Sequence, residues 1–351
     1  MHSKGYKMNY LDIIQENCNK HSPISWWPRF AFHYTDIQNA VSILNSGFLY
    51  SRAAADQLKI MKNDNASRQV IDITSSDVVS KVRFYFRPLT PTQYYNEGYK
   101  HPSLRYCQDE NANVPVPIFL LFDLNKLLSL PGVQFSETSQ AIRGSKVYSG
   151  IEKFKDLNFD YIYDNSYENF EVSKNFRHAE ILHPNSMPID SCICNILCRN
   201  NLERTTLLNL LHEKNNKAFL KYKEMIKVPR NNVFENNGSF LTDCSYHDRM
   251  VSITFSDAYA GKRYIEREME KAGIDELRPI DVVVQLKWIN SRNICNQKSI
   301  VIPFDVRKPG TFTITGLPDI QNAKNISIEV LFDNNLMCYL IQSLDFSELL
   351  R

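Results

Sequence analysis

The chain has 351 residues, 43% hydrophobic and 23% charged, with 41 basic side chains against 39 acidic. Such a composition can bury the cores of two ordinary domains and is not that of a disordered chain. A formal net charge of +2 excludes a global field for nucleic acid, so any contact with a polyanion must come from a local patch.

Eight cysteines are spread along the chain without a C-x-x-C pair. Cys192, Cys194 and Cys198 cluster, but C-x-C-x3-C with no further Cys or His pair nearby is a poor zinc pattern. Buried thiols in a reducing cytoplasm, and no metal, are expected. The opening stretch from Met1 to Ile14 lacks the apolar core of a signal peptide. No run approaches the ~20 apolar residues of a membrane span, so a cytoplasmic protein away from the membrane is expected.

In chain order, residues 9–20 read as an amphipathic helix with Leu11, Ile14 and Cys18 at helical spacing. Arg29–Tyr34 is a short aromatic strand. Thr35 or Asp36 can cap a helix over Ile37–Leu44 that stops at Gly47, and Phe48–Ser51 is a second strand. Residues 52–80 are polar and weakly periodic, a long loop with some helix, of a kind that is usually functional or disordered. Val82–Phe86 is a strand ended by Pro88 and Pro91. Tyr94, Tyr95 and Tyr99 fall on a following helix, Pro117–Leu121 on a buried strand and Leu124–Leu130 on a helix. Arg177–Leu182 and Ile189–Leu197 read as strands.

After about residue 200 the texture changes. Leu202–Met225 reads as one long helix and 227–238 as a polar linker. Short strands at regular spacing follow, interrupted by a helix over Ala258–Lys271, which suggests a small β-sandwich or sheet domain. The expected division is therefore 22–200 and 201–351.

Singly, the polar residues of the first part have plain readings. His33 is a core histidine of an aromatic strand, Thr35 a helix cap, Tyr85 a sheet aromatic, Glu180 a strand-end carboxylate and Arg68 a solvated loop charge. Their order is more telling. The chain presents H-x-T-x3-N (His33, Thr35, Asn39), an Arg-bearing loop, F-Y-F-x-P-x-x-P (Phe84 to Pro91) and R-x-A-E (Arg177 to Glu180). Over about residues 28–200 this resembles the DarT family of nucleic-acid ADP-ribosyltransferases, distant relatives of the poly-ADP-ribose polymerase fold. His178, where that family commonly has Gln, and Arg87 and Leu89 within the proline segment, depart from its pattern.

The resemblance implies an α/β (α+β) fold with an ADP-ribosyltransferase-like split β-sheet, and NAD as co-substrate. It implies Glu180 as the carboxylate facing the cation that forms at the ribose, with Arg68 near the pyrophosphate and acceptor base. It places His33, Thr35 and Asn39 on the ribose side and Tyr85 against nicotinamide. Chemically the residue types suit these tasks. A carboxylate stabilises an oxocarbenium-like centre, an aromatic ring stacks on a flat polar one, and a guanidinium favours phosphate.

For the acceptor, nine basic side chains stand against five acidic between Arg52 and Arg105, interleaved with tyrosines. Charge for phosphates and faces for bases would suit a single strand of DNA or RNA, with Arg83, Arg87, Tyr94, Tyr95 and Lys100 as its contacts. The plain alternative is a solvated basic surface. Residues 136–176, ahead of the Glu180 strand, are expected to present the acceptor base. The implied role is that of a toxin in a toxin–antitoxin or phage-defence system, with a cognate antitoxin as partner. The other readings are a protein-directed ADP-ribosyltransferase, an RNA 2′-phosphotransferase and a non-catalytic NAD-fold module. His178 and His183 on opposite faces of one strand would not chelate a metal.

Overall fold

A computed structural model describes residues 8–22, 24–62, 76–109, 112–142, 144–166, 168–231, 233–289, 295–317, 320 and 323–344. Chain contacts divide it into two compact units, Met1–Tyr94 with Phe119–Leu197, and Tyr95–Ile118 with Cys198–Arg351. The segment 95–118, expected in the first domain, groups with the second unit, because its buried polar side chains find their partners beyond residue 198.

The first unit is built on a β-sheet. Its strands are β1 (Phe30–Asp36), β2 (Phe48–Leu49), β3 (Lys81–Tyr85), β4 (Pro117–Asp123), β5 (Gln134–Ser136), β6 (Glu180–Pro184), β7 (Met187–Pro188) and β8 (Ile193–Cys198). Six of these pair in the order β5-β6-β3-β1-β4-β8, while β2 pairs with β7. Every residue of β4 before Asp123 is buried, which is why it reads as an unbroken apolar run rather than an alternation. In β3 the burial alternates, with Val82 and Phe84 inside and Arg83 and Tyr85 only partly covered. That alternation aims Arg83 and Tyr85 to one face of the sheet. An aromatic cluster fills the other side of the unit: Phe154 packs on Phe135 at 5.4 Å, Phe159 at 5.2 Å and Phe86 at 6.2 Å between ring centres.

Capping chemistry sets the helix limits as expected from sequence. Asp36, rather than Thr35, caps the helix Ile37–Ser46, its carboxylate accepting the Gln38 N–H at 2.9 Å. Gly47 ends that helix at φ 73°, where a side chain would strain the backbone. Asn9 and Asp12 form a reciprocal capping box at the start of Tyr10–Lys20. That helix buries Ile13, Ile14 and Cys18, whereas Leu11, assigned to its apolar face from sequence, is 55% exposed.

Three elements differ from expectation. The stretch before β6 is a 3-10 turn over Phe176–His178, so the strand begins only at Glu180. Residues 202–225 form two helices, Asn201–Lys214 and Asn216–Tyr222, broken at Asn215, whose extended backbone ends one while its side chain caps the other. Tyr99 is not helical; it pairs with Ser239 through reciprocal backbone hydrogen bonds of 3.0 and 2.9 Å.

The second unit begins its strands with the short β9 (Ile226–Lys227) and continues with β10 (Leu241–His247), β11 (Met250–Phe255), β12 (Ile280–Ile289), β13 (Cys295–Phe304), β14 (Thr311–Ile314), β15 (Asn325–Phe332) and β16 (Asn335–Ser343). One sheet runs β10-β11-β14 and the other β13-β12-β15-β16. Phe255 of the first stacks on Phe304 at 3.9 Å and Phe332 at 5.4 Å of the second, so the two sheets share one aromatic core. A buried ionic cluster lies in the same unit. Arg199 pairs with Glu203 and lies 3.8 Å from Glu97. Glu97 in turn accepts the backbone N–H groups of Glu235 and Asn236, both at 2.8 Å.

Candidate active site

Sheet register assembles the site. On adjacent antiparallel strands, Phe32 stands opposite Tyr85, Tyr85 opposite Glu180, and Glu180 opposite Ser136. Residues directly opposite share a face. Tyr85, Glu180 and, two residues back along β3, Arg83 are therefore presented together.

Glu180 is 1% exposed, and a buried carboxylate needs partners for its charge. Arg83 supplies them in a two-pronged grip, Nε donating to Oε2 at 2.6 Å and Nη2 to Oε1 at 2.7 Å. The backbone N–H of Gln140 adds a third donor to Oε1 at 3.1 Å. Gln140 is itself held by its side-chain amide on Ser145 Oγ at 2.8 Å, so the loop after β5 folds back onto the carboxylate. Burial alone would pull the Arg83 guanidinium down, but the charge and hydrogen bonds of Glu180, with a smaller contribution from Tyr85, together outweigh it and raise its pKa. Each carboxylate oxygen can accept two hydrogen bonds. Oε2, with the Arg83 Nε–H, retains capacity for a hydroxyl of a bound ligand.

The phenol and imidazole beside this pair, those of Tyr85 and His178, are held neutral. Burial and the neighbouring Glu180 charge raise the Tyr85 phenol, whose oxygen bonds to Thr92. Burial pushes His178 down to about 4, with Arg83 adding to the effect and Glu180 opposing it. His33 is lowered by burial and its Nδ1 lies 3.0 Å from the carbonyl oxygen of Arg83. A carbonyl only accepts, so Nδ1 carries the proton and Nε2 is left as an acceptor. His33 also meets the ring of Phe84, at 6.0 Å between centres.

The remaining sequence candidates are placed as follows. Thr35 is buried at the end of β1. Asn39 accepts the Lys62 backbone N–H at 2.8 Å, tying its helix to the segment that leads toward Arg68. Arg68 lies outside the described residues. Arg87 is 1% exposed. Its guanidinium donates to the carbonyls of Pro88, Ile162 and Asp164 and to Asn165 Oδ1, at 2.5 to 3.2 Å, and lies over the Trp27 ring. Lys100 is buried in the second unit, where Nζ donates to Asn237 at 2.7 and 2.9 Å and lies 3.5 Å from the centre of the Tyr264 ring. Neither Arg87 nor Lys100 fits the phosphate contact expected of it, since each has spent its donors inside the protein. Tyr94 is half-buried in the first unit, and Tyr95, in the second, packs on Tyr106 at 4.8 Å.

Sequence reasoning missed three contributors. Arg83, read as a phosphate contact, is the ion-pair partner of Glu180; strand alternation with Tyr85 was the signal available. Gln140 acts through its backbone and leaves no sequence trace. Arg177, read only as part of the R-x-A-E motif, donates to Asp164, Ser166 and Ser173. Asp164 is held at about 2 against its burial by bonds from Ser166, Ser173 and Arg177. Arg87 and Arg177 thus pin the segment 162–166 ahead of β6 from two sides.

The family model for DarT, described as ssDNA thymidine ADP-ribosyltransferase, matches residues 32–227. The chain belongs to the DarT family. Among solved structures, DarT of Thermus sp. 2.9 in complex with carba-NAD+ is 17% identical, covering 59% of this chain and 98% of that one at a TM-score of 0.45. The same protein in complex with ADP-ribosylated ssDNA is 16% identical, covering 58% and 95% at a TM-score of 0.47. DarTG of Thermosipho africanus in complex with ADP-ribose is 16% identical, covering 59% and 51% at a TM-score of 0.46. No curated protein matches the chain.

As a DarT-family member, the protein is an ADP-ribosyltransferase that uses NAD as co-substrate, with a mixed α/β catalytic fold and a β-rich C-terminal part. Its acceptor is single-stranded DNA; the RNA alternative drawn from sequence finds no support in the family match. Among the described residues no helix is long and apolar enough to cross a membrane.

Proposed function

We propose that the protein transfers ADP-ribose from NAD to the thymine base of single-stranded DNA, with Glu180 as the carboxylate at the reacting ribose. The observation that carries this reading is the single buried carboxylate of the motif, fixed by Arg83 and Gln140 and set directly across from Tyr85. Cleavage of the nicotinamide–ribose bond leaves its electron pair on nicotinamide and positive charge at the ribose carbon. A fixed carboxylate lowers the energy of that charge. The thymine ring nitrogen then forms the new bond and gives up its proton.

His33, Thr35, Asn39 and Tyr85 form the NAD side in this reading. Tyr85 offers a neutral ring for nicotinamide, and His33 offers Nε2 as an acceptor for a ribose hydroxyl. Thr35 and Asn39 act largely by holding the end of β1 and the segment at Lys62. Arg68 is assigned to the pyrophosphate and acceptor base from its place in the motif order. The family description supports thymidine as the target. A toxin role in the cytoplasm, held in check by an antitoxin, in a toxin–antitoxin or phage-defence setting, follows from the resemblance alone.

Single-stranded oligonucleotides that differ only in whether they contain thymidine, incubated with the protein and NAD and digested to nucleosides, test the target by mass spectrometry. An ADP-ribosyl adduct on thymidine alone is expected. An adduct on another base, or on RNA but not DNA, would refute the proposal. Growth arrest on expression in a bacterial host tests the toxin role, and unimpaired growth with active enzyme would refute it.

A further inference from the structure

Resting on the assignment of Glu180 to the reacting ribose, we propose that Arg83 is a positioning residue for the transfer, setting the orientation of the Glu180 carboxylate. Its work would then be done through Glu180 and not on DNA phosphates.

Three observations carry this. First, the grip is two-pronged and short, at 2.6 and 2.7 Å. A fork of two parallel N–H groups fixes the plane of a carboxylate, whereas a single contact leaves it free to rotate. Second, the partners are unequally buried, the Glu180 side chain at 1% exposure and that of Arg83 at 32%. Glu180 is therefore shielded from bulk solvent, and among the described residues Arg83 is the cation that orients and neutralises it. Third, the donors are unevenly shared. Among the described residues, Oε1 takes Arg83 Nη2 and the Gln140 N–H, while Oε2 takes only Arg83 Nε. Arg83 and Gln140 together saturate one oxygen and leave the other able to accept a ligand hydroxyl. The grip thus selects which oxygen of Glu180 faces the ribose.

Among the described residues, the other titratable groups that interact with the pair, Tyr85 on β3 and His178 on the turn before β6, are held neutral. Neither competes with Arg83 for the carboxylate. The carbonyl of Arg83 meanwhile receives His33 Nδ1–H at 3.0 Å, so one residue links the acidic and the imidazole parts of the motif.

The test compares the full chain with Arg83→Met and Arg83→Lys, alone and combined with Glu180→Gln, measuring nicotinamide release and thymidine adduct. Thermal melting shows which variants are folded. For Arg83→Met, kcat should fall about a hundredfold with KM for NAD within about threefold of the parent, since misplacing a catalytic group by an ångström costs on that order. Arg83→Lys keeps the charge without the fork and should recover only part of the loss. Added guanidinium should restore part of the Arg83→Met activity. In the Glu180→Gln background, Arg83→Met should cost nothing further, which a purely structural role would not produce.

If Arg83→Met keeps kcat within about twofold, or lowers it equally with and without Glu180, the positioning role is overturned. Where Arg83→Met does not fold, Arg83→Lys decides in the same way. Failure of the underlying assignment looks different: Glu180→Gln alone would then retain full activity.

Discussion

Tyr85 stands directly across from Glu180 in the antiparallel register of β3 and β6, so one backbone ladder fixes the spacing of the aromatic ring and the carboxylate. Neither depends on a loop for its place. The pair is a rigid reference around which the mobile parts of a substrate can be arranged, which is where a site gains most from preorganisation.

If Tyr85 stacks on nicotinamide as proposed, its ring and not its hydroxyl does the work. Tyr85→Ala should raise KM for NAD about tenfold, corresponding to the ~1.4 kcal/mol of one aromatic stacking contact. Tyr85→Phe loses only the bond to Thr92 and should stay within about threefold of the parent. Steady-state kinetics of nicotinamide release decides; equal effects of both changes would assign the role to the hydroxyl.

Arg87 is expected to act as a structural anchor. Its removal as Arg87→Met leaves the carbonyls of Ile162 and Asp164 and the amide oxygen of Asn165 without their donor. Breaking a buried charged network of this kind costs roughly 3–5 kcal/mol. Urea denaturation should show the loss. Binding of single-stranded DNA by the folded fraction should keep its salt dependence, because no phosphate contact is removed. A reduced salt slope at unchanged stability would restore Arg87 to the DNA surface.

His178 gives the fold a defined response to acid. Its pKa falls from the ordinary 6.5 to about 4 on burial. Between those values the unfolded chain binds more protons than the folded one, so the stabilisation present above pH 6.5 is lost as pH falls toward 4. The loss is at most roughly 3 kcal/mol. His178→Gln should flatten stability across this window in urea melts at successive pH values. A curve as steep as the parent's would place the sensitivity elsewhere.

Local signals carried much of the fold. Asp36 and Gly47 bracket their helix because capping and positive φ are properties of a few adjacent residues, and the alternation in β3 marks a half-covered strand. The motif order brought His33, Tyr85 and Glu180 into one reading for the same reason. What stayed hidden was decided at long range. Arg87 is buried by carbonyls some 75 residues further on, and Lys100 by Asn237 and Tyr264. From sequence, both had the look of surface charges. Segment 95–118 likewise joined the second unit through Glu97 and its partners at Arg199, Glu235 and Asn236. Arg83 lay between these cases, since its face was legible from Tyr85 while its partner required the register of β6.

The role proposed for Glu180 is to stabilise the charge that develops when NAD is cleaved. Replacing it with Gln keeps the shape and much of the hydrogen bonding to Arg83 and Gln140 while removing the charge. The most direct measurement is the single-turnover rate of thymidine adduct formation on a single-stranded oligonucleotide, with NAD saturating, for the parent and Glu180→Gln. A fall of at least about a thousandfold is predicted, the scale of losing a group that acts only in the transition state. A rate within about tenfold of the parent would rule out this role for Glu180.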